Sequence, residues 1–352
     1  MEITPFTPFK LLHHSDRVRQ MLAGVTVFPV SVELDLSNIC NHACPWCTFN
    51  GFRQDNWVHF PAARVQALID ELASLGVQSI TFTGGGEPLV HPQAAQLIAH
   101  AHAKGLRYGV VTNGRRLEGH VATVLAQSAT FVRVSLDSGT AQTHQLLHAT
   151  ATPEFERILA NITAFTAMAP TVTVGASFCV FDVNVDEIEI AAARVKAAGG
   201  QYLEVRPVFP TEWRGGGFAQ PLTDAHVEQA RATLAAAKAA LDDDRFRVIG
   251  MIQRFDQVTD DRKPYSRCQI GPLTTVINAT GDVYHCCVQR GVPEFKIGNV
   301  LNRTFADVWM TDAHRKLQAG IDVQTCPPCR YDGYNTIIDQ AFEGNAMHKE
   351  FL

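Results

Sequence analysis

The most informative run of residues in the chain is Cys40-Asn41-His42-Ala43-Cys44-Pro45-Trp46-Cys47, in which three cysteines are spaced C-x3-C-x2-C. Three thiolates at this spacing can hold three irons of a [4Fe–4S] cube and leave the fourth iron open. Because an open iron takes a small-molecule ligand, the motif indicates chemistry rather than passive electron storage. The alternative is a zinc knuckle or a few buried cysteines, although cysteine-rich zinc sites usually present four ligands in two pairs.

The composition is that of a globular protein, with 46% hydrophobic residues in a chain of 352. A net charge of −5 and the absence of a long basic run argue against a nucleic-acid or membrane partner. The first residues lack the apolar core of a signal peptide, and no apolar stretch of about 18 residues occurs, so we expect a cytoplasmic protein. In a reducing compartment, nine cysteines indicate metal ligands or reactive thiols rather than disulfides.

Short β-rich runs alternate with helical segments from Val30 onward, which is typical of βα-repeats with a parallel sheet. The predicted strands lie near Val30–Leu36, Ser79–Thr83, Arg107–Thr112, Phe131–Asp137, Thr171–Val180 and Tyr202–Arg206. The predicted helices lie near Phe9–Leu22, Pro61–Leu75, His91–Lys104, Glu118–Ser128, Glu154–Met168, Asp186–Ala198 and Thr223–Leu241. By itself, this pattern of about six βα units allows either a doubly wound sheet or an open barrel.

The parity of the strands predicts a polar interior. The run Phe131–Asp137 places apolar side chains on one face and Arg133, Ser135 and Asp137 on the other. A parallel strand buried on both sides is normally apolar on both faces, so inward charges indicate a wet, ligand-holding lumen. The charged candidates for gripping substrate hydroxyl or amine groups are Glu33, Asp35, Glu204 and Arg206. The alternative is that the inward charges only pair with one another.

A glycine-rich run, Thr83-Gly84-Gly85-Gly86-Glu87-Pro88, closes the second predicted strand. Glycine lets a backbone approach a ligand closely, and the active sites of barrels lie at the carboxyl ends of their strands. Together with the three-cysteine motif one βα unit earlier, this run resembles the GGE motif of radical S-adenosylmethionine (SAM) enzymes. The resemblance implies that the open iron chelates SAM and that SAM cleavage yields a 5′-deoxyadenosyl radical, which takes a hydrogen atom from the substrate.

The same resemblance implies a fold and a set of site residues. The fold class is α/β, a partial (β/α)6 TIM-like barrel that is open on one side. The implied ligands of the SAM-binding [4Fe–4S] cluster are Cys40, Cys44 and Cys47. The implied contacts to SAM are Gly85, Gly86 and Glu87 at its amino group, Asn113 near the pocket, Ser135 and Asp137 at the ribose, and Trp46 beside the adenine. The residues alone also allow Asn113 to form a plain Asn-Gly turn and Trp46 simply to pack the cluster loop.

A second group of cysteines lies near the C-terminus. Twelve residues separate Cys268 from Gly281, four more precede Cys286, and a Cys326-Pro327-Pro328-Cys329 run follows. This arrangement resembles the twitch/SPASM extension of radical SAM enzymes. Because no cysteine follows Cys329, it fits the shorter twitch form, which implies one auxiliary [4Fe–4S] cluster with the ligands Cys268, Cys286, Cys326 and Cys329. The alternative is a structural zinc site with the same four thiolates.

Two cysteines, Cys179 and Cys287, remain once seven of the nine are assigned as ligands. Both are catalytic candidates, because a thiol can return a hydrogen atom to a substrate radical. Parity places Cys179 on the polar, inward face near the carboxyl end of its strand. Cys287 could donate hydrogen or replace Cys286 as a ligand, and either thiol could be an inert buried residue.

These patterns divide the chain into four parts. Residues 1–28 form a helical lead-in, 29–222 the partial barrel, 223–259 a linker helix and 260–352 the auxiliary-cluster domain. The loop over 207–221, rich in glycine and proline, either closes the barrel mouth or links the barrel to the C-terminal part of the chain.

The resemblance extends to enzymes that modify aminoglycosides and other sugars, through the Phe9–Arg17 stretch before the first strand and the closing run Met347–Leu352. It implies a small polar substrate, a one-electron reductant of the flavodoxin or ferredoxin type, and a place in antibiotic biosynthesis. The expected reaction is epimerisation of a carbinol carbon of a sugar or aminocyclitol, with Cys179 as the hydrogen donor.

Three other functions stay open at this point. The first is a dehydrogenase that oxidises the same kind of alcohol to a ketone and passes the electron to the auxiliary cluster. The second is maturation of a ribosomally made peptide, which is common for such C-terminal extensions. The third is an iron–sulfur scaffold or electron carrier, for which the open three-cysteine site and the GGE-like run would have no use.

Overall fold

The computed structural model describes four stretches of the chain, residues 6–151, 153–209, 221–260 and 262–342. Most of the expected closing loop at 207–221 and the C-terminal run Met347–Leu352 lie outside these stretches. A 3-10 helix at Pro8–His14 and helix α1 (Ser15–Leu22) together replace the single N-terminal helix predicted over Phe9–Leu22.

The strands of the described residues form one sheet. Their bounds are β1 (Ser31–Asp35), β2 (Ser79–Thr83), β3 (Arg107–Thr112), β4 (Phe131–Ser135), β5 (Thr173–Val180), β6 (Tyr202–Pro207), β7 (Arg247–Gly250), β8 (Thr274–Ile277), β9 (Asp282–Tyr284) and β10 (Lys296–Asn299). They lie in the order β10-β9-β8-β1-β2-β3-β4-β5-β6-β7. All neighbours from β8 through β1 to β7 are parallel, whereas β9 is antiparallel to both β8 and β10.

Helices connect the parallel strands. The remaining helices are α2 (Asn50–Asp55), α3 (Ala62–Ser74), α4 (Ala94–Ala103), α5 (Gly119–Ser128), α6 (Ala141–His148), α7 (Glu154–Met168), α8 (Ile188–Ala197), α9 (Asp224–Leu241), α10 (Ile252–Thr259), α11 (Phe305–Trp309), α12 (Asp312–Ala319) and α13 (Asp332–Ile337), the last continued by a π-helical turn at Ile338–Phe342. The start of α9 shows how the sequence sets a boundary, because Thr223 and His226 form a reciprocal capping box there.

The expected partial TIM-like barrel is confirmed. All six predicted strands are present, and those at Ser79–Thr83 and Arg107–Thr112 have the predicted bounds. The predicted alternation along Phe131–Asp137 is also confirmed. Val132, Val134 and Leu136 are fully buried in the apolar core between the sheet and its helices.

The segment 223–259 differs from the linker helix that the sequence predicts. After α9 the chain enters β7, which pairs in parallel with β6 so that Val248 lies opposite Leu203, and then α10. The segment is therefore a further strand-and-helix unit of the barrel. A strand of only four residues is too short to show the alternation by which strands are recognised in a sequence.

The cysteine-rich C-terminal region begins as a continuation of the barrel. β8 pairs in parallel with β1, with Thr275 opposite Val32, and the antiparallel strands β9 and β10 extend the same sheet. The C-terminal region is thus joined to the barrel by backbone hydrogen bonds rather than by a flexible linker.

Trp309 connects this region to the N-terminal segment. Its indole Nε1 donates to the carbonyl of Val27 at 2.7 Å, and its ring stacks on Phe305 with centroids 5.4 Å apart. Both aromatic rings are fully buried in the same apolar cluster as barrel residues such as Leu34. The barrel and the C-terminal region therefore share one core.

None of the described helices combines the length and the apolar character needed to cross a bilayer.

Replacing Trp309 with Ala is expected to lower the free energy of unfolding by about 3–5 kcal/mol, since it leaves a large cavity in the shared core. The change would appear as an earlier transition in thermal or urea unfolding followed by circular dichroism. Trp57→Ala is the matched control, because the Trp57 side chain is 53% exposed. Equal shifts for the two variants would contradict a shared core anchored by Trp309.

Candidate active site

A cavity of about 400 Å³ lies at the carboxyl ends of the parallel strands. Its lining combines the Cys40–Cys47 loop, the glycine-rich run after β2 and the ends of β3 to β6 with residues from the C-terminal region. The sequence-predicted residues that line it are Glu33, Cys40, Cys44, Trp46, Cys47, Gly85, Gly86, Glu87, Asn113, Ser135, Asp137, Cys179, Arg206 and Cys287. The folding of the chain therefore brings most of the predicted site together.

The three cysteines of the loop after β1 form one wall of the cavity. Burial raises the pKa of the Cys40 thiol to about 11, and the carboxylate of Glu87 adds to this rise. Burial also raises the pKa of Cys44, with further contributions from the neighbouring sulfurs of Cys47 and Cys40. Three negatively charged thiolates in one loop repel one another unless cations lie among them, as the irons of a cluster would. The donor set therefore fits a metal cluster.

A buried group of acidic and basic side chains holds the Cys40–Cys47 loop against α7. The ring Nε2 of His42 lies 3.2 Å from Oε1 of Glu154, the first residue of α7. The guanidinium of Arg115 donates to the other oxygen of Glu154 at 2.7 Å. Burial lowers the pKa of His42, so its neutral ring donates a hydrogen bond to Glu154 while Arg115 supplies the counter-charge. The loop is thereby fixed to α7.

Helix α6 holds the middle of the loop. Nδ1 of His148 lies 3.3 Å from Sγ of Cys44, and the indole of Trp46 donates to the carbonyl of Leu147 at 2.7 Å. Ligand atoms of His42, Cys44 and His148 all lie within 4.8 Å of one another. The Trp46 ring packs edge-on against Phe181 with centroids 5.0 Å apart, so Trp46 belongs to the cavity wall as well as to the loop.

Glu87 braces the glycine-rich run against β3. One oxygen accepts from the hydroxyl of Thr112 at 2.6 Å and from the amide of Leu89 at 3.1 Å. The other accepts from the amide of Asn113 at 2.7 Å. The side-chain amide of Asn113 in turn donates to Oδ1 of Asn41 in the cysteine loop at 2.7 Å. Glu87 and Asn113 thus link the two motifs that the sequence singled out.

Only glycine fits at position 86. A Cβ atom there would lie 2.2 Å from the carbonyl oxygen of Ile39 and 2.5 Å from the carbonyl carbon of Asn38. The Gly86 amide donates to the carbonyl of Ser37 at 3.0 Å, so the run lies directly against the chain that enters the cysteine loop. The close approach comes from backbone atoms on both sides, which cannot move aside as a flexible side chain would.

Asp137 carries local strain at the end of β4. Its φ of 55° lies in the left-handed region that non-glycine residues rarely adopt. Oδ1 accepts from the amide of Cys179 at 2.8 Å, whereas Oδ2 is buried without a hydrogen-bond partner in the described residues. Burial raises the pKa of this carboxyl to about 6. An orphaned acceptor on the cavity wall fits a ligand that brings a hydroxyl group, as the ribose of SAM does.

The inward carboxylates predicted to grip substrate are paired within the protein. Glu33 forms ion pairs with Arg290 at 2.8 Å and with Arg330. Oδ2 of Asp35 lies 3.3 Å from Nε of Arg290 and accepts from the Gly85 amide at 3.1 Å. The pairing that the sequence left open as an alternative therefore accounts for both carboxylates.

The other two residues predicted to grip substrate, Glu204 and Arg206, lie on β6. Glu204 accepts from Arg133 at 2.6 Å. Arg206 donates from Nε to Sγ of Cys179 at 3.3 Å and lies 3.9 Å from Glu204. Among the four predicted substrate-gripping residues, Arg206 is thus the one that is not committed to a close ion pair.

The C-terminal cysteines face a second, smaller pocket. It is lined by Cys268, Cys286, Cys326 and Cys329 together with His285. Burial raises the pKa of the Cys268 thiol to about 12, with Cys286 and Cys326 adding to the rise. Cys287 instead lines the large cavity, as expected for adjacent residues that point opposite ways.

His285 supports a sulfur-rich occupant in the smaller pocket. Its ring is fully buried, neither nitrogen has a hydrogen-bond partner in the described residues, and burial lowers its pKa to about 3. A neutral imidazole still carries one N–H group, which is costly to bury without an acceptor. The sulfurs of an iron–sulfur cluster are acceptors of this kind, so the pocket fits such a cluster.

Comparison with known protein families agrees with both cysteine groups. Residues 34–195 match the model of the radical SAM superfamily, and residues 268–331 match the SPASM model, described as an iron-sulfur cluster-binding domain. The chain contains a radical SAM domain followed by a SPASM domain.

Curated relatives match this chain over most of its length. Mycofactocin maturase MftC from Mycobacterium tuberculosis is 26% identical over 313 residues, which span 86% of this chain and 76% of the relative. The PqqA peptide cyclase of Xanthomonas campestris is 26% identical and covers 80% of this chain and 73% of its own. In the crystal structure of Streptococcus suis SuiB, the fold is similar with a TM-score of 0.69 at 14% identity, over 91% of this chain and 74% of SuiB.

These findings confirm the expected cofactors. The radical SAM domain binds a [4Fe–4S] cluster and SAM, and the SPASM domain binds an auxiliary iron–sulfur cluster. The zinc alternatives for the two cysteine groups are thereby set aside.

The expectation of a small polar substrate is wrong. The relatives include a peptide cyclase that matches 80% of this chain, and no relative reported above is a sugar-modifying enzyme. The error has a physical origin, because the cysteine and GGE motifs specify how a radical is generated. They contain no information about the molecule that the radical attacks.

Sequence reasoning missed several residues of the site. Arg254, Arg290 and Arg330 line the large cavity, and no pattern in the sequence around them indicated this. His144 and His148 stack with ring centroids 4.3 Å apart, and their i, i+4 spacing on one helix could have shown that they share a face.

Replacing Gly86 with Ala is expected to weaken SAM binding by about tenfold or more, since extra atoms in a packed site cost about 1–3 kcal/mol. Equilibrium dialysis of labelled SAM against the reconstituted protein measures this. Gly320→Ala is the matched control, because its nearest contact would be the Lys316 carbonyl at 3.3 Å. Equal SAM affinity in the two variants would show that the close approach at Gly86 is not needed.

Replacing His285 with Phe removes the buried N–H group while keeping a ring of similar size. We expect the reduction potential of the auxiliary cluster to fall, because hydrogen bonds to cluster sulfurs set such potentials, and cluster retention to weaken by about 10- to 100-fold. Potentiometric titration followed by electron paramagnetic resonance reads the two clusters separately. A His314→Phe variant provides the comparison, since its Nδ1 already donates to the Trp309 carbonyl at 2.8 Å. An unchanged auxiliary potential in His285→Phe would contradict this role.

Proposed function

We propose that this radical SAM enzyme is a peptide maturase, which modifies a residue within a ribosomally made precursor peptide. The observation that carries the proposal is the match to the PqqA peptide cyclase and to mycofactocin maturase MftC across both cysteine-bearing domains. The likeness spans 86% of this chain for the maturase and 80% for the cyclase. This proposal takes the place of the sugar epimerase and the sugar dehydrogenase.

When bound, the cluster and SAM supply a 5′-deoxyadenosyl radical that removes a hydrogen atom from the peptide. The chain's own residues then decide how the substrate radical ends. Cys179 lines the cavity, and burial raises the pKa of its thiol against the opposing effect of Arg206. At neutral pH the sulfur therefore keeps its proton, which a hydrogen-atom donor requires. The Nε–H of Arg206 donates to this sulfur at 3.3 Å and so fixes its position.

The position of Cys179 favours epimerisation as the outcome on the peptide. In this reaction a C–H bond of the peptide is broken, the S–H bond of Cys179 is broken, and a new C–H bond forms on the opposite face. The remaining thiyl radical regains its hydrogen from one proton and one electron of a one-electron reductant. The other outcome is oxidation of the substrate radical, in which one electron would pass to the auxiliary cluster and one proton to solvent, leaving a crosslinked or unsaturated residue.

The proposed function is tested with the anaerobically reconstituted protein, SAM, dithionite and synthetic peptides encoded by short reading frames beside its gene. We expect 5′-deoxyadenosine to form in proportion to a peptide product that mass spectrometry and chiral amino-acid analysis detect. Hydrogen abstraction from sugars or aminocyclitols, with every peptide unchanged, would overturn the proposal.

Replacing Cys179 with Ala is expected to leave SAM cleavage in place and to abolish the gain of deuterium by the peptide in deuterium oxide. The reason is that an exchangeable thiol is then absent from the polar face of β5. Cys287→Ala is the matched comparison, because its sulfur also faces the large cavity. Loss of deuterium only in Cys287→Ala would assign the donor to Cys287, and deuterium uptake by both variants would exclude a thiol donor.

A further inference from the structure

One end of the large cavity carries more positive than negative charge. Arg133, Arg206 and Arg254 all line it. Within the described residues, Glu204 is the carboxylate that forms ion pairs with this group, at 2.6 Å from Arg133 and 3.9 Å from Arg206. Glu204 is already committed to Arg133, and Asp137, which also lines the cavity, acts on Arg206. Within the described residues, Arg254 is therefore the arginine of this group that forms no ion pair.

Of Arg206 and Arg254, it is Arg254, on α10, that has fewer polar partners. Within the described residues its guanidinium has no ion pair and no hydrogen-bond partner, and its Nε atom is shielded from solvent. It lies 4.7 Å from the centroid of the Phe209 ring, which forms an apolar wall beside it. Burial, and after it the nearby charge of Arg206, lower the pKa of Arg254. A cation that is partly withdrawn from water and has no close counter-charge is costly, so the site favours an anion.

The guanidinium groups of Arg206 and Arg254 indicate which class of anion would bind. A guanidinium presents a planar fork of donors that matches the two oxygens of a carboxylate. Phe209 on one side and the apolar residue Val208 in the same lining favour an occupant with a short aliphatic stem. A carboxylate on a flexible chain satisfies both requirements.

SAM also carries a carboxylate, but a different arginine lies beside the SAM cluster. Arg53 is close enough to Cys40 for its charge to oppose the rise in the pKa of that thiol, and its guanidinium donates to the Asn50 side chain at 3.1 Å. The charges that act on Arg254 are instead those of Arg206, Cys329, Cys179 and Glu204. Arg254 therefore lies between the candidate hydrogen donor and the auxiliary-cluster ligands.

We propose that Arg254, with Arg206 beside it, binds a carboxylate of the peptide substrate close to the residue that is modified. The inference rests on the proposed peptide maturase and names a requirement for its substrate. The carboxylate belongs either to an acidic side chain or to the free C-terminus of the peptide, and the two sources share the same recognition.

The probe is a set of three pools of short synthetic peptides, randomised among residues other than Asp and Glu except at one fixed central position. The first pool has both termini capped and Glu at this position, the second is capped with Gln, and the third has Gln and a free C-terminal carboxylate. Each pool is incubated with the reconstituted holoprotein and SAM, and retained peptides are quantified by mass spectrometry. We expect retention of the Glu pool or of the free-carboxylate pool to exceed that of the capped Gln pool by about tenfold or more.

Substitutions connect the preference to Arg254. Arg254→Gln is expected to abolish the preference, whereas Arg254→Lys retains part of it because the charge remains while the planar fork is lost. Arg262→Gln is the matched control, because the Arg262 side chain is 87% exposed and lies outside the cavity lining. SAM affinity, measured by dialysis in the same variants, separates the two ligands, and a loss of SAM binding in Arg254→Gln would assign Arg254 to SAM and overturn the proposal.

The outcomes distinguish this inference from the proposed function. Equal retention of the capped Gln pool and both carboxylate pools would contradict the carboxylate site while leaving peptide binding in place. Retention of no pool by the unsubstituted protein would contradict peptide binding itself and, with it, the carboxylate site. A preference that survives in Arg254→Gln would place the recognition elsewhere and overturn the role of Arg254.

Discussion

The architecture of the cavity depends on one buried arginine. Arg290 lies just beyond Cys286 and Cys287, and its side chain, only 3% exposed, binds Glu33 and Asp35, which both lie on β1 of the barrel. Asp35 also accepts from the amide of Gly85, so the same carboxylate reaches the glycine-rich run. Desolvating these charges is costly, and losing one partner would leave an uncompensated charge in the interior. The relative placement of β1, the glycine-rich run and the C-terminal region is therefore specified by charge as well as by apolar packing.

This junction explains how the chain presents two cofactor sites to one substrate. Cys286 faces the small pocket with the other SPASM cysteines, whereas the next residue, Cys287, faces the large cavity. Pro327 and Pro328, between Cys326 and Cys329, also reach the large cavity. A substrate in the cavity thus contacts the backbone that holds the auxiliary cluster without entering its ligand sphere. Such an arrangement suits electron transfer, because Val288 and Pro327 line both pockets.

The sequence predicted the parts of the fold that depend on local patterns of residues. The alternation along Phe131–Asp137 predicted which side chains of β4 face the cavity. The glycine-rich run predicted a close approach to a ligand, whereas the close approach that Gly86 makes is to the backbone of Asn38 and Ile39. The pattern could not reveal β7, since four residues carry no period. Nor could it reveal that Glu33 pairs with Arg290, because 257 residues separate them and only the parallel pairing of β8 with β1 brings them together.

The substrate could not be read from the motifs for a related reason. The residues that generate a radical must keep a fixed geometry around a fixed cofactor, so their spacing is recorded within short runs of sequence. The arginines at the proposed carboxylate site come from separate elements, Arg206 from β6 and Arg254 from α10, with Arg133 from β4 beside them. Each looks like an ordinary surface arginine in the sequence, and only the folded chain shows that Arg133 and Arg206 share one carboxylate, Glu204. The excess positive charge at that end of the cavity is a property of the assembled barrel. It is this charge that supports the proposal of a carboxylate on the substrate.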